Sequence, residues 1–374
     1  MRILLVRLRP VGDVVFTTPL LSALRRHYSE AHIAYVVEPD AALIVEGNPH
    51  INELIVAPRR RGLARIADDI GMARRLARGR YDVAIDLHGG PRSAWFTWAS
   101  RARKRIGYRI PGRAWMYTEA VARSQQLTPR HSVMNQWDLL APLGVPPLDC
   151  AREPVEMPEN EQAARRVEAE LAASGVGPQH TVIVIHVSAS NRFKRWPEES
   201  FVSLVVALVR QDQSRRVILT AGPSDLDATR RIARAARSHL GAAADAVIED
   251  RLAGLAELRA LIARAHTYVG GDSGPLHVAA TTRVPIVELL GPTLAERSHP
   301  WRDPRWFTEI IDPGALPCRP CHQRVCVPGD FRCLTSTGPE RVIAATERAL
   351  ASKPSSQPGI PAAVNERRIP VVHR

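Results

Sequence analysis

Three loops of the sequence carry residue types that could bind an anion or move a proton. The first is Arg9-Pro10-Val11-Gly12-Asp13, which follows the apolar run 3–8. Gly12 permits a tight turn, and Asp13 lies where the next helix begins. Asp13 is therefore either a helix cap or a carboxylate that acts as a general base, and position alone favours the cap.

The second loop, residues 186–197, combines hydroxyl groups with an ammonium group. It contains Ser188, Ser190 and Lys194, and only three of the 51 basic residues of the chain are lysines. A compact ammonium fits a confined phosphate oxygen better than a planar guanidinium does. The loop therefore suits a phosphate, and a solvated basic loop is the alternative.

The third loop, residues 270–280, is rich in glycine and precedes a helix. Pro275 suits the first turn of that helix, so the backbone N–H groups of Ser273 and Gly274 are expected to be free. With the helix dipole they form an anion site, and the alternative is a plain glycine-rich turn. His277 falls in the first turn, and Asp272 is either a cap or a ligand contact.

Two further strand ends add polar groups. Asp225 follows the predicted strand 216–221, where its carboxylate could accept hydrogen bonds from a ribose, although a simple turn fits equally well. Residues 291–293, Gly-Pro-Thr, follow the predicted strand 286–290 and would line the same cleft.

Four cysteines fall in one short segment with the spacing C-x2-C-x4-C-x6-C: Cys318, Cys321, Cys326 and Cys333. A disulfide framework is not expected in a cytosolic chain. Four thiolates could hold zinc or an iron–sulfur cluster, but nothing else in the sequence indicates redox chemistry. Reduced thiols are the favoured interpretation, and zinc stays the second.

Short apolar strands alternate with amphipathic helices along most of the chain, which is typical of parallel sheets covered on both faces. The alternation stops in the proline-rich segment 141–159 and then starts again. We therefore expect two α/β halves that bind ligands at the carboxyl ends of their strands. Strands are predicted at 3–8, 32–37, 83–87, 182–186, 216–221, 268–270 and 286–290.

The charge balance limits the classes of function. The chain has 374 residues, 45% of them hydrophobic, and a net charge of +13. Aromatic residues make up only 5%, which disfavours a nucleic-acid-binding protein. Because no export signal or 20-residue apolar segment is visible, we expect a cytoplasmic protein. Exposed arginines would allow peripheral contact with the anionic inner membrane.

The motifs share their order and spacing with one known family. They are the opening strand with Gly12-Asp13-Val14, the segment Lys194-Arg195-Trp196-Pro197, the run Asp272-Ser273-Gly274-Pro275-Leu276-His277-Val278-Ala279-Ala280, Gly291-Pro292-Thr293, and the cysteine segment. Together they resemble glycosyltransferase family 9, the ADP-heptose:lipopolysaccharide heptosyltransferases. The resemblance extends from residue 1 to about 350.

The resemblance implies a GT-B architecture, in which two Rossmann-like, doubly wound α/β domains face a central cleft. Residues 1–150 would bind the acceptor and residues 151–351 the nucleotide-sugar, and residues 352–374 would form a disordered tail. It also implies an inverting transfer of a heptose from ADP-heptose to a lipopolysaccharide core acceptor, without an essential metal or other cofactor. The alternative keeps the fold but uses another nucleotide-sugar, or a different glycan or a protein as acceptor.

Residue roles follow from the same resemblance. Asp13 would act as general base, with Arg9 and Gly12 in the acceptor-side loop, and Lys194 would stabilise the diphosphate leaving group. The remaining donor contacts would come from Ser188 or Ser190, Asp225, Asp272, Ser273, Gly274 and His277. The acceptor would be anionic, because arginines are frequent in the first half: Arg25, Arg26, Arg59, Arg60, Arg61, Arg74 and Arg75.

Overall fold

A computed structural model describes residues 1–123, 129–189, 191–250 and 254–352. The chain forms two compact units, Met1–Pro158 and a second that begins at Glu159. Ser190 and the predicted tail beyond Ser352 lie outside the described residues. The assignment of acceptor and donor binding to the two halves stays a prediction.

The first unit is built on a six-stranded parallel sheet with the order β3-β2-β1-β4-β5-β6. The central strand β1 has four consecutive buried residues, Ile3 to Val6, because both of its faces are covered. The strands are β1 (Arg2–Val6), β2 (His32–Val37), β3 (Glu53–Val56), β4 (Val83–Asp86), β5 (Lys104–Tyr108) and β6 (Glu119–Val121).

Helices cover this sheet through their apolar sides. The second helix buries Leu20, Leu21 and Leu24, and the fourth buries Met72 and Leu76. The α-helices described in this unit are α1 (Val11–Val15), α2 (Thr18–His27), α3 (Pro39–Val45), α4 (Gly62–Arg78), α5 (Pro91–Ala99) and α6 (Ser132–Trp137). Short 3-10 turns follow at Ala114–Met116 and Asp138–Leu143.

The second unit repeats the arrangement, with a six-stranded parallel sheet of order β12-β11-β10-β7-β8-β9. Its core packs Ile183 and Ile185 of the central strand against Leu204 and Leu208. The strands are β7 (Thr181–His186), β8 (Arg215–Thr220), β9 (Val247–Glu249), β10 (Thr267–Gly271), β11 (Ile286–Leu289) and β12 (Thr308–Ile311).

The helices of the second unit again present one apolar side to the sheet, as Ile232, Ala233 and Ala236 do on the ninth helix. Those described are α7 (Glu161–Ala173), α8 (Glu198–Gln211), α9 (Leu226–Leu240), α10 (Leu255–Ala263), α11 (Gly274–Ala280), α12 (Ala295–Ser298), α13 (Arg332–Thr335) and α14 (Pro339–Ala351).

Each sheet has a point at which the strand order reverses. In the first unit it lies between β1 and β4, and in the second between β7 and β10. Ligands of open α/β sheets bind outside the carboxyl ends of the strands at such points. The loops after β1 and β4, and those after β7 and β10, are therefore where binding residues are expected.

The predicted fold class is confirmed, and every predicted strand is present with ends shifted by no more than two residues. The single helix that was expected to begin near Asp13 and to contain Leu20 and Leu24 forms as two helices, α1 and α2. Among the residues that the structure describes, no helix combines the length and apolar character needed to cross a bilayer.

Candidate active site

In the first unit, Asp13 does not cap a helix but lies inside α1. Pro10 occupies the N-cap position, and no side chain caps this helix. The Asp13 carboxylate forms an ion pair with Arg7, whose side chain is almost fully buried. The Asp13 side chain is still 35% exposed. A carboxylate held by a buried cation and open to solvent suits a general base better than a cap.

The loop after β4 also binds the Arg7 side chain. Arg7 Nη1 donates to the carbonyl of Leu87 at 2.5 Å. The preceding residue, Asp86, is fully buried and accepts hydrogen bonds from the backbone N–H groups of His88 (2.9 Å) and Gly89 (2.8 Å). Burial, together with the Arg7 charge, lowers the pKa of His88. Asp13, Arg7 and His88 thus meet at the reversal point between β1 and β4.

Beside this point lies a cavity of about 640 Å³ that is lined by six arginines: Arg9, Arg59, Arg60, Arg61, Arg65 and Arg92. One buried carboxylate, Glu38, faces them and lies 2.7 Å from Arg92 Nη1. Arg92 also contacts Asp69 at 2.6 Å. Because cations outnumber the carboxylate on its walls, the cavity suits an anionic group.

Not every arginine predicted for acceptor binding faces this cavity. Arg59, Arg60 and Arg61 do, and so does Arg9 of the acceptor-side loop. Three others serve the fold. Arg25 donates to the backbone carbonyls of Ser29 and Ala31, and Arg26 and Arg75 pair with Glu153 and Glu53. Composition alone could not separate these two groups of arginines, because each is defined by contacts that form only in the folded chain.

In the second unit, the loop after β7 meets the loop after β10 through one ion pair. Lys194 Nζ donates to Asp272 Oδ2 at 2.8 Å, and His277 Nε2 lies 3.8 Å from the other carboxylate oxygen. Burial alone would raise the pKa of Asp272, but the charges of Lys194 and His277 outweigh it and lower that pKa. The Lys194 side chain is 23% exposed, so its ammonium can still reach a ligand.

Ser273 and Gly274 lie next to this ion pair, at the start of α11. Ser273 occupies the N-cap position in extended conformation, and Pro275 lies in the first turn, as predicted. In the part of the chain that the structure describes, the buried Ser273 hydroxyl makes no hydrogen bond. The first backbone N–H groups of a helix have no partner within it. These donors and the Lys194 ammonium converge at the reversal point between β7 and β10.

Asp225 belongs to a second cluster on the other side of β7. Its carboxylate accepts a hydrogen bond from Ser188 Oγ at 2.8 Å and pairs with Arg195 Nη2 at 2.8 Å. Arg195 also donates to the carbonyl of Ala189 at 2.9 Å, a hydrogen bond within the loop after β7. Arg195 was not predicted as a site residue. Its position next to Lys194 gave no sign that the two cations pair with carboxylates on opposite sides of β7.

Glu288 of β11 was not predicted from the sequence and is fully buried. Neither carboxyl oxygen forms a hydrogen bond to any described residue. Burial, together with the negative charge of Asp272, raises the pKa of Glu288 well above its ordinary value. Burial thus favours the neutral form of this carboxyl group, which has the charges of Lys194 and Asp272 near it.

Glu288→Gln is expected to stabilise the second unit in a pH-dependent way. Wild-type Glu288 keeps its proton in the folded chain at pH values where the unfolded chain has lost it, so stability falls as pH rises above about 4.5. Gln cannot ionise, so at about pH 8 the variant should melt roughly 2–4 °C or more above wild type. Thermal unfolding from about pH 4.5 to about pH 8 measures this difference.

Glu309→Gln on the neighbouring strand β12 is the matched control, since Glu309 is partly exposed and paired with Arg348. It should show no such gain with rising pH. Equal pH profiles for wild type and Glu288→Gln would show that Glu288 does not titrate as described.

No disulfide joins the four cysteines of the segment 318–333, whose thiols are free. Cys321 and Cys326 each accept a hydrogen bond from a backbone N–H, at 3.2 Å and 3.4 Å. Within the described ranges, no group of three or more His, Cys, Asp or Glu side chains is placed to hold a metal ion. The choice between reduced thiols and zinc at this segment stays a prediction.

Comparison with known proteins decides the family. Residues 70–329 match the sequence profile described as glycosyltransferase family 9 (heptosyltransferase). The chain belongs to glycosyltransferase family 9. The heptosyltransferase match includes Lys194, Asp225 and the loop after β10. Asp13 lies before the matched range.

Two curated relatives are similar to the family 9 chain over most of their length. It is 29% identical over 353 residues to lipopolysaccharide heptosyltransferase 3 of Escherichia coli K12, which covers 91% of this chain and 95% of that protein. It is 26% identical to lipopolysaccharide heptosyltransferase 1 of Pseudomonas aeruginosa, with 87% of each chain covered.

Solved structures of the family share the fold. A family 9 glycosyltransferase from Veillonella parvula superposes with a TM-score of 0.79 at 23% identity, covering 94% of this chain and 97% of that one. The ADP-heptose lipopolysaccharide heptosyltransferase II of Escherichia coli gives 0.74 at 20% identity, covering 94% and 99%. The predicted GT-B fold is therefore confirmed.

Proposed function

We propose that this heptosyltransferase moves a heptose from ADP-heptose to an anionic lipopolysaccharide core acceptor with inversion at the anomeric carbon. The main support for this proposal is the group of anion-binding donors at the reversal point of the second sheet. Lys194, the Ser273 hydroxyl and the N–H groups of Ser273 and Gly274 offer positive charge and hydrogen bonds to a diphosphate. The names of the curated relatives support the choice of sugar and acceptor.

Asp225 and its cluster complete the proposed donor site. The carboxylate is already engaged by Ser188 and Arg195, so a ribose hydroxyl would donate to an oxygen whose position is fixed. Ser188 would then act by holding Asp225 rather than by binding phosphate. His277 would hold Asp272, which in turn positions the Lys194 ammonium.

Asp13 is proposed as the general base. Its carboxylate takes the proton of the acceptor hydroxyl while that oxygen attacks the anomeric carbon of the heptose. The bond from the anomeric carbon to the diphosphate breaks as the new glycosidic bond forms, and the departing ADP takes the electron pair. Arg7 fixes the carboxylate from the buried side. Lys194 stabilises the charge on the departing phosphate, so we assign this task to the chain rather than to a metal ion.

The arginine-lined cavity of the first unit is proposed to bind an anionic group of the acceptor. Its walls carry Arg9 and Arg92 together with the exposed arginines at 59–61, near the loop that holds Asp13. Phosphate and carboxylate groups are recognised by guanidinium pairs of this kind. The acceptor would thus be selected by charge, and the donor by its diphosphate.

The direct test is incubation with ADP-heptose and a delipidated lipopolysaccharide core, followed by mass spectrometry of the products. We expect one added heptose on the core. Parallel reactions with ADP-glucose, UDP-glucose and a protein acceptor examine the alternative substrates. If transfer occurs only from another sugar donor, or only to a protein, the proposed function is wrong and the corresponding alternative is correct.

Added salt is expected to weaken acceptor binding more than donor binding. Exposed charges more than about 8–10 Å apart are screened at physiological ionic strength, and five of the six cavity arginines, all but Arg92, are exposed. Lys194 is mostly buried and should be less affected. The measurement is KM for each substrate over a salt series, and equal salt dependence of the two would contradict this prediction.

A further inference from the structure

Helix α4 presents a line of large aliphatic side chains to solvent. Leu63 is 84% exposed, Ile66 56% and Ile70 41%. Steps of three and four residues place them on one side of the helix. The residues that α4 buries against the sheet, Met72 and Leu76, belong to its second half. The first half of α4 therefore has an apolar side that its own unit does not cover.

Basic residues continue this line. Arg74 and Arg78 follow Ile70 in steps of four, so they lie at the end of the same side, and both are exposed. Within the described residues, neither arginine forms an ion pair or a hydrogen bond. Three more arginines, at 59–61, directly precede the helix.

The acidic residues of α4 are directed away from this side. Asp68 and Asp69 have mostly buried side chains and pair with Arg60 and Arg92. The exposed apolar line therefore ends in the unpaired side chains of Arg74 and Arg78. No unpaired carboxylate of α4 lies beside it. An aliphatic line with arginines at both ends matches the boundary between acyl chains and anionic headgroups.

We propose that α4 docks this protein on the surface of an anionic phospholipid bilayer. Leu63, Ile66 and Ile70 would enter the headgroup–acyl boundary, and Arg74 and Arg78 would bind headgroup phosphates. A bilayer is the occupant that uses both features at once, since the two arginines lack a counter-ion within the described chain. The inference rests on the proposed function in one respect: α4 begins at the arginine-lined cavity, so docking brings that cavity to the lipid that carries the acceptor.

Co-sedimentation of the full chain with vesicles tests this proposal. Wild type should bind vesicles of phosphatidylcholine mixed with phosphatidylglycerol and bind pure phosphatidylcholine much more weakly. The triple variant Leu63→Ser, Ile66→Ser, Ile70→Ser should lose about tenfold or more in the partition coefficient for the mixed vesicles. The double variant Arg74→Gln, Arg78→Gln should lose roughly ten- to thirtyfold on the mixed vesicles alone.

Matched variants in the second unit control for general loss of apolar surface or charge. Leu226→Ser, Val325→Ser, Val327→Ser removes three side chains of comparable exposure. Arg230→Gln, Arg234→Gln removes two exposed arginines from α9. Both controls should bind vesicles as wild type does. An equal loss in the controls, or none in the α4 variants, would overturn the proposal.

Two further measurements separate the outcomes. A dimer seen by sedimentation velocity that only the α4 triple variant abolishes would assign this side to a second copy of the chain and overturn bilayer docking. Transfer to the delipidated core should be unchanged in the triple variant, since the three residues are placed only at the membrane. If wild type transfers heptose to no acceptor, the proposed function fails while the vesicle result stands.

Discussion

Asp13→Asn is expected to lower turnover by roughly 10²–10⁴-fold while ADP affinity changes little. The amide keeps the shape of the side chain but cannot take a proton from the acceptor hydroxyl. ADP affinity should persist because the proposed donor contacts lie in the second unit. Steady-state kinetics with a delipidated core and calorimetry with ADP measure the two quantities.

The substitution also removes the carboxylate partner of buried Arg7, so folding is followed by thermal unfolding. Asp227→Asn is the matched control, because Asp227 is an exposed acidic residue in the first turn of α9 and pairs with Arg230. It should leave turnover unchanged. Near-normal turnover in Asp13→Asn would remove Asp13 from the role of base.

Lys194→Ala is expected to lower kcat/KM by roughly 10²–10³-fold and to weaken ADP binding as well. The ammonium is proposed to bind the diphosphate in the ground state and to stabilise the charge that develops on it as the bond breaks. A loss of both kcat/KM and ADP affinity distinguishes this role from that of Asp13. The same kinetics and calorimetry measure it.

Lys194→Ala also leaves the buried Asp272 carboxylate without its cation, which costs stability. The double variant Lys194→Ala, Asp272→Asn removes that unpaired charge, so recovered stability without recovered activity would support the phosphate role. Lys104→Ala, which removes a lysine from the first unit, should leave ADP binding intact. Full activity in Lys194→Arg would show that positive charge alone suffices.

The strands that form the centre of each sheet were predictable because they are short apolar runs. Residues of β1 and β7 are buried on both faces, so nearly every position is hydrophobic. The inner strand β5 was not predicted, and neither were the edge strands β3, β6, β9 and β12. These edge strands are only three or four residues long and include polar residues such as Glu119 and Thr308, which resemble loops in sequence.

Within the candidate site, residues in loops after strands were predictable, and their partners were not. Lys194 and Asp272 stand out because they follow apolar strands and precede helices. Arg7, Arg195 and Glu288 lie within or beside ordinary-looking segments. Their importance comes from contacts with residues distant in sequence, such as the pairing of Arg195 with Asp225. Such contacts follow from tertiary packing, which no local pattern records.

The scarcity of lysine means that few side chains of this chain react with amine-specific reagents. It has three side-chain amines, Lys104, Lys194 and Lys353, among 51 basic residues. The amine of Lys104 donates to the carbonyl of Pro142 at 2.5 Å, and that of Lys194 pairs with Asp272. An acylating reagent that ignores guanidinium groups therefore has few competing targets. If bound nucleotide protects the Lys194 peptide from acylation, that protection reports that the second unit is occupied. No engineered label is needed.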